Sequence, residues 1–279
     1  PLAVAGARRA QPAPVRERSE PKPITPEIAI LGRDGDQHAP MLLALHGFTE
    51  NDLAWRDVLG ERSDLVTPLL PGHGWKPCPE TLTIERVADD LAVRLGEDGG
   101  DLIGYSMGGR IALLTALRHP QRVRRLVLIS SGPGFKDGQL QEGRRSHEMA
   151  LAETLEEEGL GPFVAMWEQN AILKPYRPFP RAVAEDLRYR RMQHDPCGLA
   201  GALRQLGAGA MPNLWDRLGE VRVPTLLIAG EADTRYVEVM TEMAGLIPKA
   251  KLAIIRQAGH AIHREQAGEL VREIYGFLG

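Results

Sequence analysis

Ser106 sits in the stretch Gly104-Tyr105-Ser106-Met107-Gly108, which fits the pattern G-x-S-x-G. The run Asp101-Leu102-Ile103 before it reads as a strand, and Met107 to His119 after it reads as a helix. A serine on such a turn is pushed out at the carboxyl end of the strand, because small flanking residues let the chain fold sharply beneath it. Serine is a poor nucleophile and a poor base at neutral pH. It needs a histidine to take its proton and a carboxylate to orient that histidine. Asp233 closes the run LLIAGEAD and His260 closes AIIRQAGH, so acid and base follow the serine where apolar runs hand over to loops. Glu231 is the competing acid, and Asp233 is preferred because it falls further into the loop. His263 is the competing base, and it already lies in the next helical segment. The helix after Ser106 aims its N-terminus at the site, so the backbone N–H of Met107 is a candidate oxyanion donor. Gly47 in LHGFTEN ends another apolar run and offers the N–H of Phe48 as a second donor. His46, and His73 in PGHG, read as packing and hydrogen-bonding residues.

These residues need a frame. MLLALHG (41–47), DLVTPLLPGHG (64–74), DLIGYS, RRLVLIS (124–130), VPTLLIAGEAD (223–233) and AKLAIIRQAGH (250–260) read as strands. Between them run helical patterns. TIERVADDLAVRL (83–95) places Ile84, Val87, Ala88, Leu91 and Leu95 on one face, with Thr83 as a plausible N-cap. MGGRIALLTALRH is stopped by Pro120. A further helix is expected near 236–246 and a last one from about His263 to Leu278. Strands alternating with helices imply an α/β fold, a mostly parallel sheet covered on both faces. From 132 to 218 no strand is evident, and RRSHEMALAETLEEEG, GPFVAMWEQNAI and GLAGALRQLG read as helices. The expected organisation is a core of residues 24–131 and 219–279, with 132–218 inserted as a helical cap.

Composition excludes several classes. The 279 residues support one sizeable core, and a net charge of −3 gives no bulk attraction to nucleic acid or a membrane surface. No apolar run is long enough for a membrane span, so no membrane insertion is expected. Cys78 and Cys197 lie far apart and in no ligand cluster, so neither a metal site nor a disulfide is expected, and two free thiols suit a cytoplasmic protein. No G-x-G-x-x-G or P-loop pattern occurs, and no cofactor is expected. Residues 1–23 are rich in Pro, Ala and Arg and read as a disordered tail. Its Arg-Ala mixture has a faint transit-peptide character that Glu17, Glu20 and the prolines counter. The sequence does not give the oligomeric state.

Over residues 25 to 279 the chain resembles the α/β-hydrolase superfamily. Within it, GYSMGGR, EGRRSHEMALAETLEEEGLGPFVAMWEQ, RRMQHDPCGLAGALRQLGAG and AGHAIHREQ resemble segments of the 2-succinyl-6-hydroxy-2,4-cyclohexadiene-1-carboxylate synthases of menaquinone biosynthesis. The resemblance implies a cofactor-independent carbon–oxygen lyase that eliminates pyruvate from a small polycarboxylate, with Ser106 as general base rather than acylating nucleophile. It also implies substrate-binding roles for Arg110, Arg144 and Arg191, and for Tyr105 and Trp167. Guanidinium suits such a substrate, because it binds carboxylate bidentately and stays charged. Arg145 and Arg190 are immediate neighbours and leave the register of the cap arginines open. The Pro-rich PYRPFP (175–180) departs from the family pattern. Two other readings use the same residues: a serine hydrolase of esters or C–C bonds, and a non-catalytic small-molecule receptor.

Overall fold

The computed structural model describes residues 41–279. The expected tail, 1–23, and the first part of the expected core, 24–40, lie outside the described residues. Six strands form one sheet: β1 (Met41–Leu45), β2 (Leu65–Val66), β3 (Gly100–Tyr105), β4 (Val123–Ile129), β5 (Thr225–Gly230) and β6 (Ala250–Ile255). Their spatial order is β2-β1-β3-β4-β5-β6, and every pairing is parallel. The chain steps from β1 to β2 on one side and then returns to place β3 on the other. That reversal leaves a crevice beyond the carboxyl ends of β1 and β3, where α/β sheets bind ligands.

The strands are apolar on both faces, as a sheet covered twice must be. Leu43, Leu102, Leu128 and Leu227 join one core cluster, while Leu42, Ile103, Val127 and Ile228 join the other. On the second face lie α1 (Leu53–Leu59), which brings Trp55, and the last helix, which brings Ile274. On the first face pack α2 (Ile84–Leu95) and α3 (Met107–Arg118). The helix α2 is capped by the Thr83 hydroxyl, which accepts from Arg86 N–H at 3.2 Å, and Ile84, Val87, Ala88, Leu91 and Leu95 are all buried. Between β4 and β5 the chain forms α4 (Gly138–Glu158), α5 (Leu160–Trp167), α6 (Arg181–Arg191) and α7 (Pro196–Leu206), and no strand. Of these, α4, α5 and α7 share their own apolar cluster, built on Leu151, Leu155, Phe163, Trp167, Leu199 and Leu203. The sheet resumes with β5, then α8 (Thr234–Leu246), β6, α9 (Ile262–Glu265) and α10 (Ala267–Leu278).

Three elements differ from expectation. The strand expected over 64–74 shrinks to Leu65–Val66, because Pro68 and Pro71 cannot donate to a ladder. The final helix breaks in two at Gln266, whose φ of −139° and ψ of 49° are not helical. The helix expected over 161–172 ends at Trp167, and only a short 3₁₀ turn, Ala171–Leu173, follows. Both cysteines are free, and no helix among the described residues is long and apolar enough to cross a membrane.

Candidate active site

Ser106 stands between β3 and α3 with φ 50° and ψ −110°, a conformation that L-residues seldom adopt. The turn is possible because its neighbours are glycines. A Cβ on Gly104 would lie 2.5 Å from the Gly108 carbonyl oxygen, and one on Gly108 would lie 2.5 Å from that of Leu45. The Ser106 N–H donates to the Ile129 carbonyl at 2.9 Å, which ties the turn to the next strand. The serine side chain is thereby held out of the sheet while its backbone stays inside it.

His260 follows β6 and Asp233 follows β5. The His260 Nδ1–H donates to Asp233 Oδ2 at 2.6 Å, and Nε2 lies 3.1 Å from Ser106 Oγ. Both side chains are nearly closed to solvent. With Nδ1 committed to the carboxylate, Nε2 is left as the acceptor for the serine proton. The competitors do other work. Glu231 accepts from the Gln257 N–H, and His263 donates to Glu50 at 2.7 Å.

The oxyanion donors can be placed by backbone alone. Met107 is the first residue of α3, where helix geometry leaves an N–H unsatisfied. Among the described residues no acceptor takes the Phe48 N–H. The loop carrying Phe48 is braced from two sides. Glu50 accepts from Gly47 N–H at 3.4 Å and from His263. Burial works to raise the Glu50 pKa, but the His263 charge and hydrogen bond, with Arg264, outweigh it and keep it below the usual carboxylate range. On the other side lie three histidines. His46 donates from Nδ1 to the Gly47 carbonyl and accepts the Leu70 N–H on Nε2. His73 packs edge-on against His46 and His194, and His194 joins the Gly74 N–H to the Thr49 carbonyl. Burial depresses all three, His46 to about 4.

A cavity of about 180 Å³ adjoins Ser106 and His260. Tyr105, Phe48, Met107 and Trp167 line it, together with Arg110, Arg144, Arg235, Tyr236 and Glu148. Arg110 comes from the turn of α3 after Ser106 and is 8% exposed. Its Nη2 donates to the Leu206 carbonyl at 3.1 Å, and its Nε is buried with no partner. Burial lowers its pKa from the ordinary arginine value. Arg144, one α4 turn before Glu148, donates to that buried carboxylate at 2.8 Å. Glu148 also accepts from the N–H groups of Ala208 and Gly209, so a single carboxylate fixes the arginine and the loop after α7. The Trp167 Nε1 is buried without a partner. Arg145 is exposed, which settles the α4 register on Arg144 as the cavity residue.

Arg191 is not brought to this cavity. It lines a smaller one with Glu50, Tyr105, Phe48 and Arg264, and pairs with Glu168 at 3.1 Å. Its neighbour Arg190 pairs with Asp57 and Asp186. Sequence reasoning missed Glu148, Arg235 and Tyr236. The first carried a signal, four residues after Arg144 on one helix face, and the other two stand two and three residues after Asp233.

A family model described as the alpha/beta hydrolase family matches residues 42–273. The chain belongs to that family. Among alpha/beta hydrolases and their relatives, it is similar to a Bacillus subtilis (strain 168) protein provisionally named 2-succinyl-6-hydroxy-2,4-cyclohexadiene-1-carboxylate synthase, 34% identical over 86% of this chain and 92% of the relative. A Serratia proteamaculans (strain 568) protein of that same synthase name is 29% identical over 88% and 96% of the two chains. Of solved alpha/beta-hydrolase-like structures, MenH from S. aureus superposes with a TM-score of 0.81 at 34% identity, covering 86% of this chain and 94% of the other. A thermophilic esterase from Thermogutta terrifontis, solved with malate bound, gives 0.73 at 30% identity, covering 86% and 89%.

Proposed function

We propose that this enzyme is a 2-succinyl-6-hydroxy-2,4-cyclohexadiene-1-carboxylate synthase, a lyase of menaquinone biosynthesis. It eliminates pyruvate from 2-succinyl-5-enolpyruvyl-6-hydroxy-3-cyclohexene-1-carboxylate. One observation carries this reading beyond the family. Buried Arg110, with an unpartnered Nε, shares the cavity of Ser106 and His260 with Arg144. A buried unpaired cation is costly in an enzyme for neutral esters and is repaired by a bound carboxylate.

The two ring names define the chemistry. The proton at C2 is acidic because it lies next to the succinyl ketone. Ser106, with its own proton passed to His260, takes it. The C–H pair becomes the C2–C3 double bond, the C3–C4 double bond moves to C4–C5, and the C5–O bond breaks. The departing enolate of pyruvate takes a proton on carbon and becomes the keto acid. Negative charge gathers on the ketone oxygen as C2 loses its proton, and the N–H groups of Phe48 and Met107 are the proposed donors to it. Asp233 holds His260 in the tautomer that this transfer needs. Arg110 and Arg144 hold carboxylates, while Tyr105 and Trp167 pack on or donate to the ring and its substituents. Residues 132–218 act as the cap that closes the cavity. The proposed compartment is the cytoplasm, where the two free thiols persist.

The test follows pyruvate release and the diene chromophore from that substrate, in wild type and Ser106→Ala. Rapid release in wild type, lost in the variant, is expected. No release, with fast hydrolysis of a p-nitrophenyl ester, would replace the lyase with an ester hydrolase. The likeness to the Thermogutta terrifontis esterase is the observation that favours this second reading.

A further inference from the structure

Three guanidinium groups and one glutamate line the cavity beside Ser106: Arg110, Arg144, Arg235 and Glu148. Two of the cations are enclosed. Arg110 is buried and donates to Leu206, and Arg144 is tied to Glu148. Arg235 is different. It is exposed, so it stands where the cavity meets solvent. Among the described residues it has no hydrogen bond and no ion pair, and its guanidinium carbon lies 5.9 Å from the centroid of the Phe135 ring. It is the second residue of α8, where the helix dipole presents positive charge and disfavours a cation. No acidic residue occupies that first turn. The acidic residue at the start of the helix, Asp233, is bonded to His260, so Arg235 is a charge set against the local rule and left without a hydrogen-bonded or ionic partner.

We propose that Arg235 binds the carboxylate of the fragment that leaves. This rests on the elimination reading above. The substrate carries three carboxylates, two of which stay on the ring while the third departs with pyruvate. The enclosed cations, Arg110 and Arg144, suit the part that stays. The cation already in contact with water suits the part that must reach water, because the released anion is solvated where it is bound. Arg191, to which the sequence resemblance gives a substrate-binding role, pairs with Glu168 and lines the smaller cavity, which shares Phe48 and Tyr105 with this one. Binding the departing carboxylate also makes Arg235 a specificity residue: it distinguishes the substrate from the ring product, which lacks this carboxylate.

Steady-state pyruvate release by wild type, Arg235→Gln and Arg235→Lys, with inhibition by the purified ring product, tests the assignment. In Arg235→Gln the substrate KM is expected to rise roughly 10- to 100-fold, the loss of one charge-assisted contact, with the inhibition constant of the ring product within about twofold of wild type. Arg235→Lys recovers most of the loss. The thermal midpoint of Arg235→Gln should not fall, since the change removes a cation from a helix N-terminus. An unchanged KM, or equal rises in KM and in the product's inhibition constant, would overturn the assignment while leaving the lyase intact. A wild-type enzyme that releases no pyruvate would remove the lyase reading and this assignment with it.

Discussion

The two halves of the site are held in place by different means. Ser106, Asp233 and His260 stand on turns just past β3, β5 and β6, so a continuous ladder of strands fixes their separation. Arg144 and Trp167 stand on helices between β4 and β5, and are held by an ion pair to the buried Glu148 and by a separate apolar cluster. The halves meet at a seam. Phe48 packs on Phe163 and Trp167, and His194 reaches across to the Thr49 carbonyl and the Gly74 N–H. Ladder geometry is shared by every member of such a fold. Under the proposed reading the proton chemistry belongs to the frame, and the choice of substrate is shared between these helices, which bring Arg144 and Trp167, and the frame, which brings Arg110 and Arg235.

The comparison breaks most sharply at Ser106. Ser106→Ala should cut kcat for pyruvate release about 10³-fold and leave substrate affinity near wild type, read by single-turnover and binding measurements. An equal loss of affinity would mean that the frame does not carry the chemistry alone. Next is Arg110→Met, which fills the same space without charge. Here kcat/KM should drop about 10²-fold, with a thermal midpoint that holds or rises because a buried unpaired guanidinium has gone. A fall in the midpoint would make Arg110 a structural residue.

The seam can be tested by pH. His46, His73 and His194 are kept neutral by burial, although Glu50 favours charge on His46. The unfolded chain therefore binds protons that the folded chain refuses, so stability rises with pH in this window. It is complete above pH 6.5 and lost as the pH falls toward His46's value of about 4. His46 alone contributes about 1.4 kcal/mol per pH unit between these limits, a tenfold change in the unfolding equilibrium. Urea titrations at pH 7, 6 and 5 should show that slope, reduced in His46→Asn. A flat profile would mean that the seam accepts protons without opening. The smallest effect is expected at Arg191→Gln. Its guanidinium faces Glu168 and the smaller cavity, so KM for the substrate should move less than about fivefold. A larger change would bring Arg191 back to the substrate.

The legible parts of the molecule were those set by local chemistry. The glycines around Ser106, the Thr83 cap, the i to i+4 step from Ser106 to Arg110, and the ends of the β5 and β6 runs are short-range patterns with one physical solution each. The same local reading fails where a distant partner decides. Nothing near Arg191 in sequence announces that it will pair with Glu168, on the far side of the PYRPFP turn, and line a second, smaller cavity. Nothing in PGHG announces that His73 will lie beneath His46 and beside His194, which is 121 positions later. The run 64–74 has the apolar content of a strand, but Pro68 and Pro71 end the ladder after Val66. Glu148 was legible in principle, as the i+4 partner of Arg144. Arg235 was too, since a cation two residues past the triad acid and inside a helix's first turn breaks a rule that can be read without coordinates.

The helical segment leaves the sheet after β4 and returns at β5, and these two strands lie side by side. The register from Leu126 opposite Thr225 to Ile129 opposite Ile228 closes the sheet beneath the excursion. The consequence is evolutionary. A segment whose entry and exit are already neighbours can lengthen, shorten or change its charges while the strands on either side keep their alignment. In an ancestor of this chain, changes within that one segment would have remade the wall that carries Arg144 and Trp167 and left the turns that carry Ser106, Asp233 and His260 where they stand.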